Sequence, residues 1–164
     1  MPPTSDSARR TSPPDAEHPT PRLLRRRIRL ARRHLGPGPY LDYGCGRGEL
    51  LALLADRGSA AAFAADPALA ELARAAAPGC PVHTNPDALP AGVFRGVLAM
   101  TTTPPDARTL ATWRRVLVPR GRALVIGAAP DHVEGFVIRW AGREAWRRGA
   151  GVVVLEVAAD PEGA

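Results

Sequence analysis

The stretch from Leu41 to Leu51 reads LDYGCGRGELL: the end of a hydrophobic strand, three glycines at alternate positions, and the start of a helix. Glycine has no Cβ and tolerates a positive φ, so a ligand can lie directly on the backbone of such a turn. The free N–H groups at the start of the helix then point at that ligand. The stretch therefore predicts a strand–turn–helix unit that binds a nucleotide-like cofactor. A tight turn without a ligand is the alternative interpretation.

An acidic residue ends the next apolar run. Residues 60–65 are apolar and lead into Asp66 and Pro67. An acid at the end of the second strand, about 20 residues after the glycines, is the arrangement that places a carboxylate on ribose hydroxyls. Asp66 is equally suited to cap a helix over Pro67–Ala77, with Pro67 at its first position. The two roles are compatible because a carboxylate has two oxygens.

The spacing of the glycines separates two kinds of cofactor site. The dinucleotide fingerprint is G-x-G-x-x-G, whereas here the glycines alternate and an aspartate precedes them by two residues. This D-x-G-x-G-x-G pattern resembles the first motif of class I S-adenosylmethionine-dependent methyltransferases. The resemblance implies S-adenosylmethionine as the methyl donor. It implies a cofactor site made of Asp42, Gly44, Cys45, Gly46, Gly48, Asp66, Pro67, Asn85, Asp87 and Met100.

The resemblance continues through the third and fourth strand segments. Residues 82–90 read VHTNPDALP, with Asn85 where the family has an acid that accepts from the adenine amino group. An amide oxygen accepts more weakly than a carboxylate. Asp87 therefore either takes over this role or caps the next turn. The fourth strand ends at Met100, and in the family this strand end borders the methyl group.

Two segments depart from the family pattern. Residues 113–126 resemble the helix, turn and strand often written R-V-L-x-P-G-G, but Arg120 stands at the first glycine, which costs backbone freedom. The loop TTTPPD at 101–106 lacks the signature of methyltransferases that act on amino groups of nucleobases and glutamine. Thr103 or Asp106 is predicted to cap the following helix. No catalytic residue is assigned, although His83, His132 and Asp106 are candidate bases, and no metal site is predicted.

Strand and helix signals alternate from Tyr40 onward. They predict an α/β fold: a doubly wound, mostly parallel, Rossmann-like sheet with helices on both faces. Residues 130–151 fit either a helix or an antiparallel closing hairpin in which Gly142-Arg143 turns into the last strand. The hairpin is favoured, since class I methyltransferase sheets usually end in one. The strands are predicted at Tyr40–Tyr43, Ala61–Ala65, Pro81–Thr84, Arg95–Met100, Ala123–Gly127 and Val152–Val157, and the helices at Arg22–Leu35, Glu49–Arg57, Pro67–Ala77 and Asp106–Leu117.

The net charge of +6 belongs to the N-terminal part of the chain. All 22 basic residues are arginines, and nine of them lie in residues 1–39 beside three acids. We predict a disordered arm (1–21), a basic helix and linker (22–39) and one cofactor-binding domain (40–164). The basic helix has an apolar stripe that indicates packing on the core. Its arginines form either a solvated face or a surface for an anionic substrate, membrane or RNA.

Composition sets limits on location and function. The chain has no run of 18 apolar residues and no signal-peptide core, and its two cysteines lack a metal-binding spacing, so a cytoplasmic protein is predicted. The leading hypothesis is a methyltransferase with a small-molecule acceptor and no membrane partner; the oligomeric state stays open. One alternative is a non-catalytic S-adenosylmethionine-binding protein or partner subunit. Another is an RNA or protein methyltransferase that uses the arginine helix. The glycine spacing disfavours a nicotinamide-dependent oxidoreductase.

Overall fold

A seven-stranded mixed sheet forms the centre of the structure, a computed structural model that describes residues 19–130, 133–143 and 151–158. The elements are α1 (Pro21–Leu35), β1 (Tyr40–Tyr43), α2 (Glu49–Ala55), β2 (Ala60–Phe63), α3 (Pro67–Ala76), β3 (Val82–His83), a short 3-10 helix (Pro86–Ala88), β4 (Phe94–Thr101), α4 (Ala107–Val116), β5 (Leu117–Gly127), β6 (Phe136–Arg143) and β7 (Gly151–Val157). The strand order is β3-β2-β1-β4-β5-β7-β6. Strands β1 to β5 pair in parallel, and β7 pairs antiparallel with both β5 and β6. The predicted doubly wound fold with a closing hairpin is confirmed.

Buried side chains form a separate cluster on each face of the sheet. Helices α1, α2 and α3 cover one face, with Ile28 and Leu54 in its cluster. Helix α4 covers the other face, where Trp113 is completely buried. The neighbouring residues Tyr40 and Leu41 of β1 point to opposite clusters, as the two-residue period of a strand requires. The helices therefore lie on both faces, as predicted.

The strand order opens a crevice beside β1. This strand lies between β2 and β4, and Asp42 is aligned with Ala62 on one side and Leu98 on the other. The chain continues from β1 to β2 on one side, whereas its neighbour on the other side is β4. Such a switch in strand order opens a crevice at the carboxyl ends of the strands, where α/β sheets bind ligands. The glycine turn follows β1 at this edge, and Asp66 follows β2.

Helix α1 begins one residue before its predicted start. Pro21 is its first residue, and the Thr20 side chain accepts a hydrogen bond from the Leu23 N–H at 3.3 Å. Gly36, at φ +73°, ends the helix as the Gly36–Pro39 segment predicts. Residues 1–18 of the predicted arm lie outside the described residues. The division into arm, basic helix and cofactor domain stays a prediction. Within the described ranges, no helix is long and apolar enough to cross a membrane.

Several predicted bounds are wrong. Strand β5 begins at Leu117 rather than at Ala123, β2 ends at Phe63 rather than at Ala65, and β3, β4, β7, α3 and α4 differ from their predicted bounds by one residue. Helix α2 ends at Ala55 rather than at Arg57, because the N–H groups of Arg57 and Gly58 bond only three residues back, in a tightened final turn. Gly142-Arg143 is not a turn, since these residues pair with Val152 and Gly151 and prolong β6. The connection between β6 and β7 falls in residues 144–150, outside the described ranges.

Candidate functional site

The glycine turn is a left-handed segment that is hydrogen-bonded to the neighbouring strand. Gly44, Gly46 and Gly48 have φ values of +82°, +54° and +88°. The N–H groups of Gly44 and Cys45 both donate to the Phe63 carbonyl at the end of β2, at 2.8 and 3.2 Å. The N–H of Gly48 donates to the Cys45 carbonyl at 3.0 Å. These bonds hold the turn in one conformation, which only glycine adopts readily at three alternate positions.

The three glycines differ in what a side chain at each position would meet. A Cβ atom on Gly44 or Gly46 would have no heavy atom within 4 Å. A Cβ atom on Gly48 would lie 2.7 Å from the Cα of Ala73, so this glycine allows α2 to pack closely on α3. Gly44 and Gly46 therefore border open space at the carboxyl edge, and Gly48 has a packing role that the sequence pattern did not distinguish.

Cys45 is a packing residue in the turn. It is buried, and its Sγ atom lies 3.8 Å from the Gly46 carbonyl oxygen. Burial raises the pKa of the thiol to about 12. Because the thiolate is the reactive form, the Cys45 thiol is chemically inert at neutral pH. Cys45 therefore acts as a small packing residue of the turn.

Asp42 is a completely buried carboxyl group two residues before the turn. Its Oδ2 atom has no hydrogen-bond partner among the described residues. Burial raises its pKa to about 7, while the positive charge of Arg27 acts in the opposite direction. An unpaired buried polar atom is costly and indicates a missing partner. A ligand with a hydrogen-bond donor or a positive charge at this edge would supply one.

Arg27 of α1 is the residue near the site that the apolar pattern did not single out. Its side chain is 96 % buried, since only 4 % of its surface is exposed, and its charge acts on Asp42. Arg27 lies three residues after Leu24 and four before Ala31, both of which are buried. This spacing puts it on the inward stripe of the helix. The helical period therefore indicated that position 27 is buried, although an arginine is not a residue type expected there.

Asp66 and Pro67 lie where the second strand gives way to α3. The Asp66 Oδ1 atom accepts from the Ala68 N–H at 2.8 Å, so this residue caps α3, and Pro67 is the first helical residue. The carboxylate is exposed, and no described residue hydrogen-bonds its second oxygen. The predicted cap is confirmed. The second oxygen is available for a ligand.

Asn85, rather than Asp87, caps the turn after β3. Its Oδ1 atom accepts from the Asp87 N–H at 3.0 Å and leaves one lone pair free. Because Asn85 precedes Pro86, it is held in an extended conformation suited to a cap. The Asp87 carboxylate is exposed and lies 4.0 Å from the guanidinium of Arg108. Of the two roles open to Asp87, a cap is not seen among the described hydrogen bonds, and the role at the adenine stays a prediction.

The loop after β4 presents no group suited to remove a proton. Asp106 caps α4 by accepting from the Thr109 N–H at 2.8 Å, so Asp106 rather than Thr103 is the cap. Hydrogen bonds from Thr109 hold the pKa of Asp106 below its usual range, which makes it a weak base. His83 is half-buried on β3, and His132 lies outside the described residues. Met100 is half-buried near the end of β4.

Tyr43 extends the site to the other face of the sheet. Its ring stacks on Phe63, with centroids 4.6 Å apart, and meets the edge of Trp113 at 5.5 Å. Its side chain is hydrogen-bonded with Thr109 of α4, and burial raises the pKa of the phenol. Tyr43 thus links the glycine turn to the loop and helix that follow β4. The sequence motif leaves this position unspecified, so it did not indicate a role for Tyr43.

Among the described residues, no group of three metal-ligating side chains is placed to hold a metal ion.

Comparison with known sequences covers the strands that build this site. Residues 41–125 match a family model described as a methyltransferase domain. The match begins in β1, includes the glycine turn and Asp66, and ends in β5. No functionally curated protein matches the chain in sequence.

Solved structures share the fold at low sequence identity. A Sulfolobus solfataricus protein assigned to the type 11 methyltransferases is 16 % identical, with a TM-score of 0.67, over 83 % of this chain and 94 % of its own. A TehB-like methyltransferase from Corynebacterium glutamicum is 19 % identical, with a TM-score of 0.63, over 83 % and 86 %. The 1,6-didemethyltoxoflavin-N1-methyltransferase of Burkholderia thailandensis is 17 % identical, with a TM-score of 0.64, over 84 % and 78 %.

Proposed function

The chain belongs to the family of class I S-adenosylmethionine-dependent methyltransferases, and we propose that it transfers a methyl group from S-adenosylmethionine to a small-molecule acceptor. The observation that carries the proposal is the open space over Gly44 and Gly46. A backbone with positive φ and no side chain faces that space at the switch point of the sheet. The unpaired Asp42 oxygen and the exposed Asp66 carboxylate lie at the ends of the two adjacent strands.

We assign the predicted site residues to parts of the cofactor, with the exception of Gly48, which packs α2 against α3. The backbone of Gly44 and Gly46 would lie against the cofactor. The Cys45 side chain would pack on the core side of that backbone. The free oxygen of Asp66 would accept hydrogen bonds from the ribose hydroxyls, and Pro67 fixes the start of the helix behind it. The Asp42 carboxylate would offset the positive charge on the amino-acid part of S-adenosylmethionine. Asn85 and Asp87 would border the adenine, and Met100 the transferred methyl group.

Methyl transfer requires the protein mainly to align the acceptor with the methyl group. S-adenosylmethionine supplies a methyl group that is already activated by its sulfonium. The protein must align the acceptor in line with that methyl and exclude water. A base is needed only for an acceptor that enters protonated, as an alcohol or an ammonium group would. A site without a strong base among its described residues is therefore consistent with transfer to a neutral nucleophile.

A small acceptor is favoured by the short connections at this edge. The loop 102–106 between β4 and α4 is only five residues long and carries no inserted domain. The structure of the Burkholderia methyltransferase contains bound 1,6-didemethyltoxoflavin and S-adenosylhomocysteine, so a protein of this fold binds a small molecule together with S-adenosylhomocysteine.

Binding and turnover together test the proposal. Calorimetry is done with S-adenosylmethionine, S-adenosylhomocysteine and NAD side by side, and we expect the first two to bind and NAD not to. Release of S-adenosylhomocysteine is then followed with panels of thiol, amine and hydroxyl acceptors, with RNA and with protein. Turnover with a small acceptor supports the proposal. Binding without turnover on any panel would instead identify a non-catalytic binding protein, and turnover on RNA or protein alone would identify a macromolecular acceptor.

Asp66→Ser separates the two roles of Asp66. Serine caps a helix about as well as aspartate, so the midpoint of thermal unfolding is expected to change little. The ribose loses a charged acceptor, which is worth about 2 kcal/mol, or about 30-fold in the affinity for S-adenosylmethionine. Calorimetry and thermal unfolding measure the two effects. Asp106→Ser is the matched control, because it changes a cap of the same geometry on α4. Equal affinities in all three proteins would reduce Asp66 to a helix cap.

Asp42→Asn is expected to change how stability depends on pH. In the cofactor-free protein the folded state holds a proton on Asp42 up to a pKa of about 7, whereas the unfolded chain releases it near pH 4. The free energy of unfolding therefore falls as pH rises through this window and levels off above it. The variant has no carboxyl group at this position, so its free energy of unfolding does not fall in this way. We expect it to exceed that of wild type by about 2–4 kcal/mol at pH 8 and to be nearly equal at pH 4. Urea unfolding at the two pH values measures this, and parallel pH profiles would contradict it.

A further inference from the structure

A cleft lies between α1 and the end of α2, apart from the glycine turn. Its volume is about 890 Å³, and neither the three turn glycines nor Asp66 lines it. Ile28 and Leu53 form its apolar part. Five arginines surround it: Arg22, Arg25, Arg29 and Arg32 of α1, and Arg57 just after α2.

The cleft concentrates positive charge without an acidic counterpart. None of its lining residues is acidic. All five guanidinium groups belong to exposed residues, and Arg22, Arg25, Arg29 and Arg57 have no ion pair or side-chain hydrogen bond among the described residues. Residues 19–39 contain seven arginines and no acid. Such a field attracts anions and is not neutralised by this part of the chain.

The arrangement of the arginines selects the kind of anion. Those on α1 follow each other at intervals of three, four and three residues, so they form one row about 15 Å long. A row of this length matches several consecutive charges better than one compact anion. Guanidinium forks also match phosphate oxygens in geometry. The ligand class indicated is a chain of phosphates.

Burial of the apolar face of α1 favours a nucleic acid over a membrane as the partner of this surface. A helix that lies in a membrane surface must expose an apolar face, but Leu24, Ile28, Ala31 and Leu35 of α1 are all buried in the core. No aromatic side chain lines the cleft, so nothing there stacks on bases. A positively charged groove of this kind tracks the backbone and not the sequence.

We propose that the α1–α2 cleft binds the phosphate backbone of nucleic acid. This surface goes beyond methyl transfer, because it concerns a second partner of the chain and not the atom that is methylated. Arg22, Arg25, Arg29 and Arg57 contact phosphates from the two walls of the cleft. Binding there leaves the cofactor site unchanged.

Fluorescence anisotropy with a labelled 15-nucleotide oligo(U) and the full chain tests the proposal. Four phosphate contacts predict a slope of about −3 for log K against log salt concentration. The variant Arg25→Gln/Arg29→Gln/Arg57→Gln is expected to bind at least 10-fold more weakly at 50 mM salt, with a slope reduced by about 2 units. The control Arg95→Gln/Arg108→Gln/Arg120→Gln removes the same charge at exposed residues outside the cleft and is expected to bind like wild type.

Three results would overturn the proposal. The first is no binding of oligo(U) at 50 mM salt. The second is an equal loss in both triple variants, which would show attraction to net charge alone. The third is binding of anionic phosphatidylserine vesicles in preference to oligo(U), which would indicate a membrane surface. Calorimetry with S-adenosylmethionine on the cleft variant is expected to match wild type, so failure of this proposal is distinguishable from failure of the proposed methyl transfer.

Discussion

Gly46→Val is expected to abolish S-adenosylmethionine binding while the domain still folds. Gly46 has φ +54°, and a Cβ atom there would meet no heavy atom of the protein within 4 Å, so the valine side chain would occupy volume that the cofactor needs. We expect the affinity to fall by roughly 100-fold or more, which corresponds to about 2.7 kcal/mol. Calorimetry with S-adenosylmethionine and S-adenosylhomocysteine measures this loss, and circular dichroism checks the fold.

Gly92→Val is the matched control for backbone strain. Gly92 has a similar φ of +63° and open space around it, but it precedes β4 at the opposite edge of the sheet. Both variants force a β-branched residue into the left-handed region, which costs about 1–2 kcal/mol of stability. Both should therefore unfold at similarly lowered temperatures, and only Gly46→Val should lose the cofactor. Wild-type affinity in a folded Gly46→Val protein would remove the basis of the proposed function.

The features predicted correctly are those that local sequence controls. Strand β1 occupies Tyr40–Tyr43 as predicted, since a short, mainly hydrophobic segment that leads directly into alternating glycines indicates a strand followed by a turn. The helix caps at Asp66 and Asp106 follow from side chains that bond to N–H groups two or three residues away. Alternation of strands and helices then leaves few topologies for a parallel sheet. This explains why the fold and the position of the glycine turn in it could be predicted.

The features that were missed depend on contacts between distant segments. The charge of Arg27 reaches Asp42 only because α1 packs against the sheet, and Gly48 meets Ala73 only because α2 packs on α3. No local pattern contains these distances. The same holds for Tyr43, whose partner Thr109 belongs to another helix. The charge of Arg27 near Asp42 and the partner of Tyr43 could therefore not be predicted from the sequence.

A buried acid in β7 shows the same limit. Glu156 is almost fully buried in a strand predicted from its apolar residues. It is paired with Arg122 of β5, directly opposite in the sheet, at 2.8 Å and with Arg139 of β6 at 2.6 Å. Hydrogen bonds from Arg139 and Arg122 hold its pKa below the usual range despite burial. Arg120 also approaches Glu156, at 3.8 Å, from a left-handed φ of +60°, which is the backbone cost expected where the family has glycine.

Gly48→Ala is expected to destabilise the fold more than any other single methyl group added to the glycine turn. The new Cβ atom would lie 2.7 Å from the Ala73 Cα and 3.1 Å from its carbonyl oxygen, so backbone must move. Ala73 is completely buried, which leaves α3 no room to retreat without disturbing the core. The left-handed φ of +88° adds about 1–2 kcal/mol and overpacking about 1–3 kcal/mol. A loss of about 2–5 kcal/mol is large against the 5–15 kcal/mol typical of a domain.

Gly44→Ala isolates the packing part of this loss. Gly44 has nearly the same φ, +82°, but its Cβ atom would meet nothing within 4 Å, so only the backbone cost of about 1–2 kcal/mol applies. Urea unfolding of both variants without cofactor gives the difference directly. If the two lose the same free energy, α3 adjusts freely and Gly48 has no packing role. If Gly48→Ala loses more, the third glycine of the motif holds two helices together, and its presence in the sequence is not by itself a sign of cofactor contact.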